Sequence, residues 1–288
     1  MKKVLSVLMA VAMLFTVCML AGCTNDTNNT EKTSEEDVSN SASTSMTATE
    51  GVLVMATNAE FPPYEYVEGG NFTGIDVEIA GKIAEKLGMT LEIKDIEFGS
   101  IIGGVQTGKF DMGMAGMTVT DERLESVNFS TTYATGIQSV IVLEDSEYAS
   151  FEDFYTGFDE EGNPAGVEDG IKIGVQQDTT GDIYSSDDVA KWGFGADNVI
   201  RYKTGADAFQ ALIAGKVTAV IIDNEPAKSY VGANDGLKIL DGEYAVEDYA
   251  ICVAKENTQL LAAINNALAE LKADGTIDGI IAKYISAE

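Results

Sequence analysis

Only two arginines occur in this chain, Arg123 and Arg201, against 47 aspartates and glutamates. Arg123 closes the stretch "MAGMTVTDER", a few residues past the apolar run "FDMGMA". An arginine fork grips a carboxylate through two charge-assisted bonds, each worth ~1.5–3 kcal/mol. Gly116 and Thr118 lie in the same stretch. Two more apolar runs end in polar residues. After "IKIGV" come Gln176, Gln177, Asp178, Thr179, Thr180 and Gly181, and "VTAVII" ends in Asp223 with Asn224 and Glu225 behind it. Thr57, Asn58, Glu60 and Phe61 follow "VLVMA", and Phe98 opens a helical stretch. Together these groups suit an α-amino acid. Arg123 takes the carboxylate, with Thr118, Thr180 and Gly181 completing its shell. Asp223 takes the ammonium, and Phe61 and Phe98 pack the side chain between rings.

Other chemistries find no support. The chain has no histidine, and its three cysteines are Cys18, Cys23 and Cys252. Cys252 sits in the strand-like "YAICVAK" and reads as a small core residue, since nothing stands ready to activate it as a nucleophile. No metal or cofactor site is expected. The glycines near Gly103 and Gly108 are not followed by the Gly-Lys-Ser/Thr of a phosphate loop. A formal charge of −29 repels phosphate backbones, so nucleic acid is not an expected partner.

The elements that must position these residues follow from periodicity. "VLVMA", "LEIKD" and "FDMGMA" read as strands. "GIDVEIAGKIAEKLGM" puts Ile79, Ala80, Ile83, Ala84 and Leu87 on one helical face, with Asp76 as the start cap and Gly88 as the stop. "FGSIIGGVQTGK" reads as a helix ending at Gly108. The second half repeats the plan: "IKIGVQ", "VIRYK" and "VTAVIID" as strands, "GDIYSSDDVAKWG" and "GADAFQALIAGK" as helices. Alternating strands and helices imply parallel sheets flanked by helices, with ligands bound beyond the carboxyl ends of the strands. The end reads as a long amphipathic helix, a Gly turn and a short helix.

The amino terminus carries Lys2 and Lys3, an apolar stretch to Ala21 and then "LAGC", a secretory signal. Its last four residues resemble a bacterial lipobox, which implies cleavage before Cys23 and a lipid on its sulfur. The stretch 24–50 is rich in Ser, Thr, Asn and Glu and is expected to be a disordered spacer.

At these residues the body, from about Val52 to Ile285, resembles the bacterial solute-binding proteins of amino-acid ABC transporters, family 3. "GIDVEIAGKIA" is similar to the family signature, "AGMTVTDER" to its carboxylate loop, "QQDTTGD" to the second-lobe counterpart and "IIDNEP" to the ammonium site. The resemblance implies an α/β, two-lobed, type II periplasmic-binding-protein-like fold, each lobe a mainly parallel sheet, joined by two hinge strands. Residues 1–23 would be the signal and 24–50 the spacer. Lobe 1 would be 51–142 plus 247–288, and lobe 2 would be 143–246. Hinges are expected near Ser139–Leu143 and Asp241–Val246. The ligand set implied is Asn58, Phe61, Phe98, Gly116, Thr118, Arg123, Gln176, Thr179, Thr180, Gly181 and Asp223. The partners implied are an amino acid, the membrane subunits of an ABC permease and, through Cys23, the outer face of the cell membrane. A monomer is expected.

Two departures bear on the ligand. Family members that bind basic amino acids often carry an acid where Asn58 stands, so Asn58 leans toward a neutral polar ligand. Asp178 stands where the Thr loop usually has Gly, and with Glu60 and Glu225 it could restore an acidic pocket for Lys or Arg. The insertion 154–170 reads as a surface hairpin. Two other classes compete. One is an enzyme, since the fold resembles a family that includes a dehydratase acting on a cyclic carboxylate, with Glu225 or Glu60 as the acid. The other is a receptor sensor domain, disfavoured because no membrane helix or signalling segment follows the body in these 288 residues.

Overall fold

The computed structural model describes residues 45–285. The signal, Cys23 and the spacer to residue 44 lie outside the described residues. The last part of the expected spacer belongs to the body: the Ala48 N–H donates to Asp111 Oδ1 at 2.8 Å, and Asn257 Nδ2 donates to the Met46 carbonyl at 2.8 Å.

The first apolar run forms β1 (Val52–Thr57), followed by three short strands, β2 (Glu60–Phe61), β3 (Glu65–Glu68) and β4 (Asn71–Thr73). These three pair antiparallel as a separate small sheet. Helix α1 (Ile75–Leu87) follows and buries Ile75, Ile79, Ala80, Ile83 and Ala84. Its stop is Gly88, left-handed at φ 68°, as the spacing predicted. Its start is not capped by Asp76. Gly74 takes that place at φ 121°, where a Cβ would lie 2.2 Å from the Tyr64 carbonyl oxygen, so only glycine fits. Then come β5 (Thr90–Asp95), α2 (Ile101–Gln106), β6 (Met112–Gly113), α3 (Asp121–Ser126) and β7 (Val127–Phe129).

The second half holds β8 (Ala134–Leu143), β9 (Ile173–Gln176), α4 (Thr180–Ser186), β10 (Val199–Tyr202), α5 (Gly205–Ile213), β11 (Ala219–Asp223), α6 (Asn224–Ala233), β12 (Leu237–Ile239) and β13 (Ala245–Tyr249). The chain ends in β14 (Cys252–Ala254), α7 (Thr258–Ala273) and α8 (Thr276–Tyr284).

Two five-strand orders result, β5-β1-β6-β14-β7 and β10-β9-β11-β8-β12, with β13 also paired to β8. In each, three strands pair in parallel, and one strand, β14 or β8, runs against the other four of its order. The parallel trio is the part that alternating strand and helix predicted. Both opposing strands, β14 and β8, begin directly after a crossing between sheets. The crossings themselves lie at 130–133 and 250–251, because β8 from Ala134 onward and β13 through Tyr249 are laddered together in the second sheet. The strands expected as hinges at Ser139–Leu143 and Asp241–Val246 are therefore sheet members or lead directly into one.

Each sheet has an apolar core. Leu53, Met55, Met112 and Ile251 pack with α1 and α7 in the first, and Val140, Ile173, Val175 and Ile221 lie in the second. Cys252 is fully buried and burial pushes its thiol up to about 12, so it is a core residue and not a nucleophile. The insertion is a hairpin, with Thr156 bonded to Gly166 and Asp159 to Asn163 along the backbone. Its base is held by Tyr155, stacked on Phe194 at 5.2 Å between ring centroids.

Candidate functional site

A small, largely closed cavity is walled from both halves of the body. From the first sheet's side come Asn58, Phe61, Glu65, Phe98, Ala115, Gly116, Thr118 and Arg123. From the second come Gln176, Thr179, Thr180 and Asp223. Of the ligand set that the resemblance implied, Gly181 alone is missing from the wall. It is buried inside α4, where an added Cβ would meet Gln138 Oε1 at 3.0 Å and the Ile221 carbonyl at 3.1 Å. Its lack of a side chain lets α4 approach β8 and β11.

Arg123 sits in the first turn of α3, which Thr120 caps by accepting the Arg123 N–H at 3.2 Å. Its Nη1 donates to the Thr118 carbonyl at 2.8 Å and its Nη2 to the Asp178 carbonyl at 3.1 Å. The guanidinium lies 5.3 Å from the centre of the Phe98 ring. Burial lowers its pKa and the nearby Glu247 carboxyl pulls it back up.

Asp223 lines the wall from the second sheet. It precedes α6 but makes no side-chain cap bond. Its Oδ1 accepts from the Tyr249 hydroxyl and its Oδ2 from Gln138 Nε2 at 2.8 Å. Burial, and then the carboxyl of Glu247, push its pKa well above the ordinary carboxylate range.

The remaining wall residues divide by what their polar atoms already do. Asn58 Oδ1 accepts from Gln176 Nε2 at 2.8 Å, a bond between residues at the ends of β1 and β9. Thr179 caps α4 by accepting the Asp182 N–H and donates to the Gln176 carbonyl at 2.8 Å. Gly116 is at φ 49°, and its N–H donates to Asp76 Oδ2 at 2.9 Å. A Cβ there would lie 2.8 Å from the Phe61 ring, so Gly116 provides room for that ring.

Glu65 was not anticipated from the sequence. It is 1% exposed and burial, with Asp76 beside it, holds its pKa well above the ordinary range. Asp76 accepts from Gly116 and, at 2.8 Å, from the Tyr133 hydroxyl; burial still pushes it up to about 6. Glu65 Oε2 and Asp76 Oδ1 accept from no donor among the described residues. One proton held between the two carboxyls satisfies both oxygens. The acids expected from the sequence to form an acidic pocket stand elsewhere. The Glu60 and Asp178 side chains are exposed, and Glu225 pairs with Lys228 at 3.1 Å.

The family model for bacterial extracellular solute-binding proteins, family 3, matches residues 53–287. The chain belongs to that family. Among solute-binding proteins it is 29% identical to the arginine-binding extracellular protein ArtP of Bacillus subtilis (strain 168), over 82% of this chain and 87% of that protein. It is 27% identical to the glutamine-binding protein GlnH of the same organism, over 99% and 98%. Solved structures agree in fold. A mutant of ArgBP from T. maritima is 37% identical with a TM-score of 0.71, covering 82% of this chain and 96% of that one. An ancestral arginine-binding protein bound to glutamine is 35% identical with a TM-score of 0.72, covering 83% and 100%. The two-lobed, type II arrangement expected from the sequence is the fold of this solute-binding protein.

Proposed function

We propose that this solute-binding protein captures an α-amino acid with a basic side chain and delivers it to the membrane subunits of an ABC importer. The carrying observation is the set of charged residues on the cavity wall. Arg123, Asp223 and Glu65 all line it, and the buried Glu65 is left over once the other two are matched to the ligand's carboxylate and ammonium. A guanidinium or ammonium on the side chain supplies the counter-charge that Glu65 lacks. The relatives named for arginine support this choice.

Capture works by lobe closure. Thr118, Arg123 and Phe98 come from one lobe, Thr180 and Asp223 from the other. A ligand bridging them favours the closed form by its differential affinity. Micromolar binding needs ~8 kcal/mol, within reach of a few charge-assisted bonds plus ring burial. The chain acts outside the cytoplasm as a monomer, anchored through a lipid on Cys23 and held off the membrane by the stretch that follows. It carries out no turnover, so the ligand is released unchanged.

Calorimetric titration of the domain from Ser45 onward, stripped of ligand by unfolding and refolding, tests the reading against all twenty amino acids. Tight binding of Arg, Lys or ornithine is expected. A preference for Gln would make Asn58, not Glu65, the side-chain reader, which is the second reading that the glutamine-bound ancestral relative favours. Heat from none of the twenty, or chemical conversion of a small carboxylate, would sink it.

A further inference from the structure

Behind the ammonium end of the cavity lies a second carboxyl that no wall residue accounts for. Glu247 projects from β13 and is 4% exposed. Its Oε2 accepts from Gln138 Nε2 at 2.9 Å. The same nitrogen donates to Asp223 Oδ2 at 2.8 Å and lies 3.4 Å from Thr180 Oγ1. One amide nitrogen has two hydrogens, so it is fully used by the two carboxyls it joins. Glu247 Oε1 and Gln138 Oε1 have no partner among the described residues. Both are acceptors in a closed space, and the Tyr184 hydroxyl on α4 also hydrogen-bonds the Glu247 carboxyl.

The charges around the pair point the same way. Tyr249 on β13, Tyr184 on α4, and Tyr64 and Glu65 beside β3 all interact with Asp223 or Glu247, and none carries positive charge. Arg123 on α3 is the cation that faces them. A single buried guanidinium, itself wanted by the ligand's carboxylate, cannot balance two buried carboxylates.

Resting on the amino-acid reading above, we propose that Glu247 is a positioning residue of the ammonium site. Its carboxyl, joined to that of Asp223 through the Gln138 amide, keeps a proton on Asp223 in the ligand-free protein. Asp223 gives that proton to solvent when the ligand's ammonium donates to it. The ammonium brings both the positive charge and the hydrogen-bond donor that the proton had supplied, so the proton becomes redundant. Capture is then an exchange of one cation for another, and affinity falls as the pH drops and protons compete for Asp223.

The test is isothermal titration with L-glutamine, whose side chain is uncharged, and with L-arginine as second probe. Phosphate and Tris differ in ionisation enthalpy, so comparing heats in the two buffers at about pH 6.5 counts protons released per ligand. Wild type is expected to release most of one proton with glutamine. Glu247→Gln keeps the shape and the Gln138 contact but leaves one carboxyl, and its release is expected to fall to near zero with a flat pH dependence of Kd. Glu270→Gln, which alters an exposed carboxyl paired with Lys86 on the outer helices, keeps the glutamine-linked release. Equal heats in both buffers for wild type overturn the proposal without any variant, as does unchanged release in Glu247→Gln. Failure of the wild type to bind any amino acid overturns the amino-acid reading as well, so the two failures are told apart by whether binding itself is seen.

Discussion

Arg123 Nη2 donates to the backbone carbonyl of Asp178 at 3.1 Å, joining a helix of one lobe to a turn of the other. Asp178 reaches this position with φ at 65°, a left-handed conformation that costs a non-glycine residue of order 1 kcal/mol. The guanidinium thus touches both lobes at the cavity wall.

That dual contact sets the first expectation. Arg123→Ala removes the carboxylate fork, and two charge-assisted bonds are worth ~3 kcal/mol or more. Affinity for every amino acid bound by the wild type should fall by about a hundredfold or more in titration. A loss within about threefold would mean that Arg123 only braces α3.

Two contacts across the cleft should differ sharply in weight. The Asn58–Gln176 bond lies inside the cavity at 2.8 Å, whereas Lys203–Glu97 is an exposed ion pair at 2.8 Å with side chains 78% and 66% exposed. Exposed pairs contribute little and are screened by salt. Lys203→Ala should leave Kd within about twofold at physiological salt, while Gln176→Ala should raise it by about fivefold or more. Equal effects would show that closure is governed at the rim.

Glu65 should decide between side chains. Glu65→Gln removes the buried acid and keeps its size, so binding of Arg and Lys should weaken by about tenfold or more while Gln is held as well or better. Competition of the two ligands on wild type and variant reads the switch directly. An unchanged preference would remove Glu65 from the recognition of the side chain.

Ligand-free stability should depend on pH in the direction opposite to affinity. Asp76 rises from 3.8 to about 6 on folding, and Asp223 and Glu65 are raised as well. Between those limits the folded chain holds more protons than the unfolded one, so stability falls as pH rises through about 4 to 7. The net charge of −29 adds self-repulsion in the same direction. The Tm of the empty domain should therefore be higher near pH 5 than near pH 7.5, and Asp76→Asn should reduce the difference. A Tm that rises steadily with pH would contradict the raised carboxyls.

Much of this was legible from the chain alone. The strand-helix alternation, the turn at Gly88 and the placing of Arg123, Thr118 and Asp223 at strand ends follow from periodicity and residue type, which act over a few neighbouring positions. The reading of Cys252 as a small core residue is likewise local.

What needed the tertiary structure was which polar side chains face inward. Glu60 and Glu65 lie five residues apart in one polar loop region, yet one is exposed and the other buried against Asp76. The difference is made by the small β2-β3-β4 sheet, whose register turns Glu65 toward α1. Asp76 looked like a helix cap because caps are a local pattern, but Gly116 and Tyr133, 40 and 57 residues away, claim its carboxylate. Gln138 and Glu247 are 109 residues apart and become partners only because β8 and β13 ladder together. The sequence by itself determined the element types and the chemistry available, since those depend on short-range spacing. Only the tertiary structure decided which carboxyls share a buried space, since that depends on strand pairings between distant segments and on the desolvation those pairings impose.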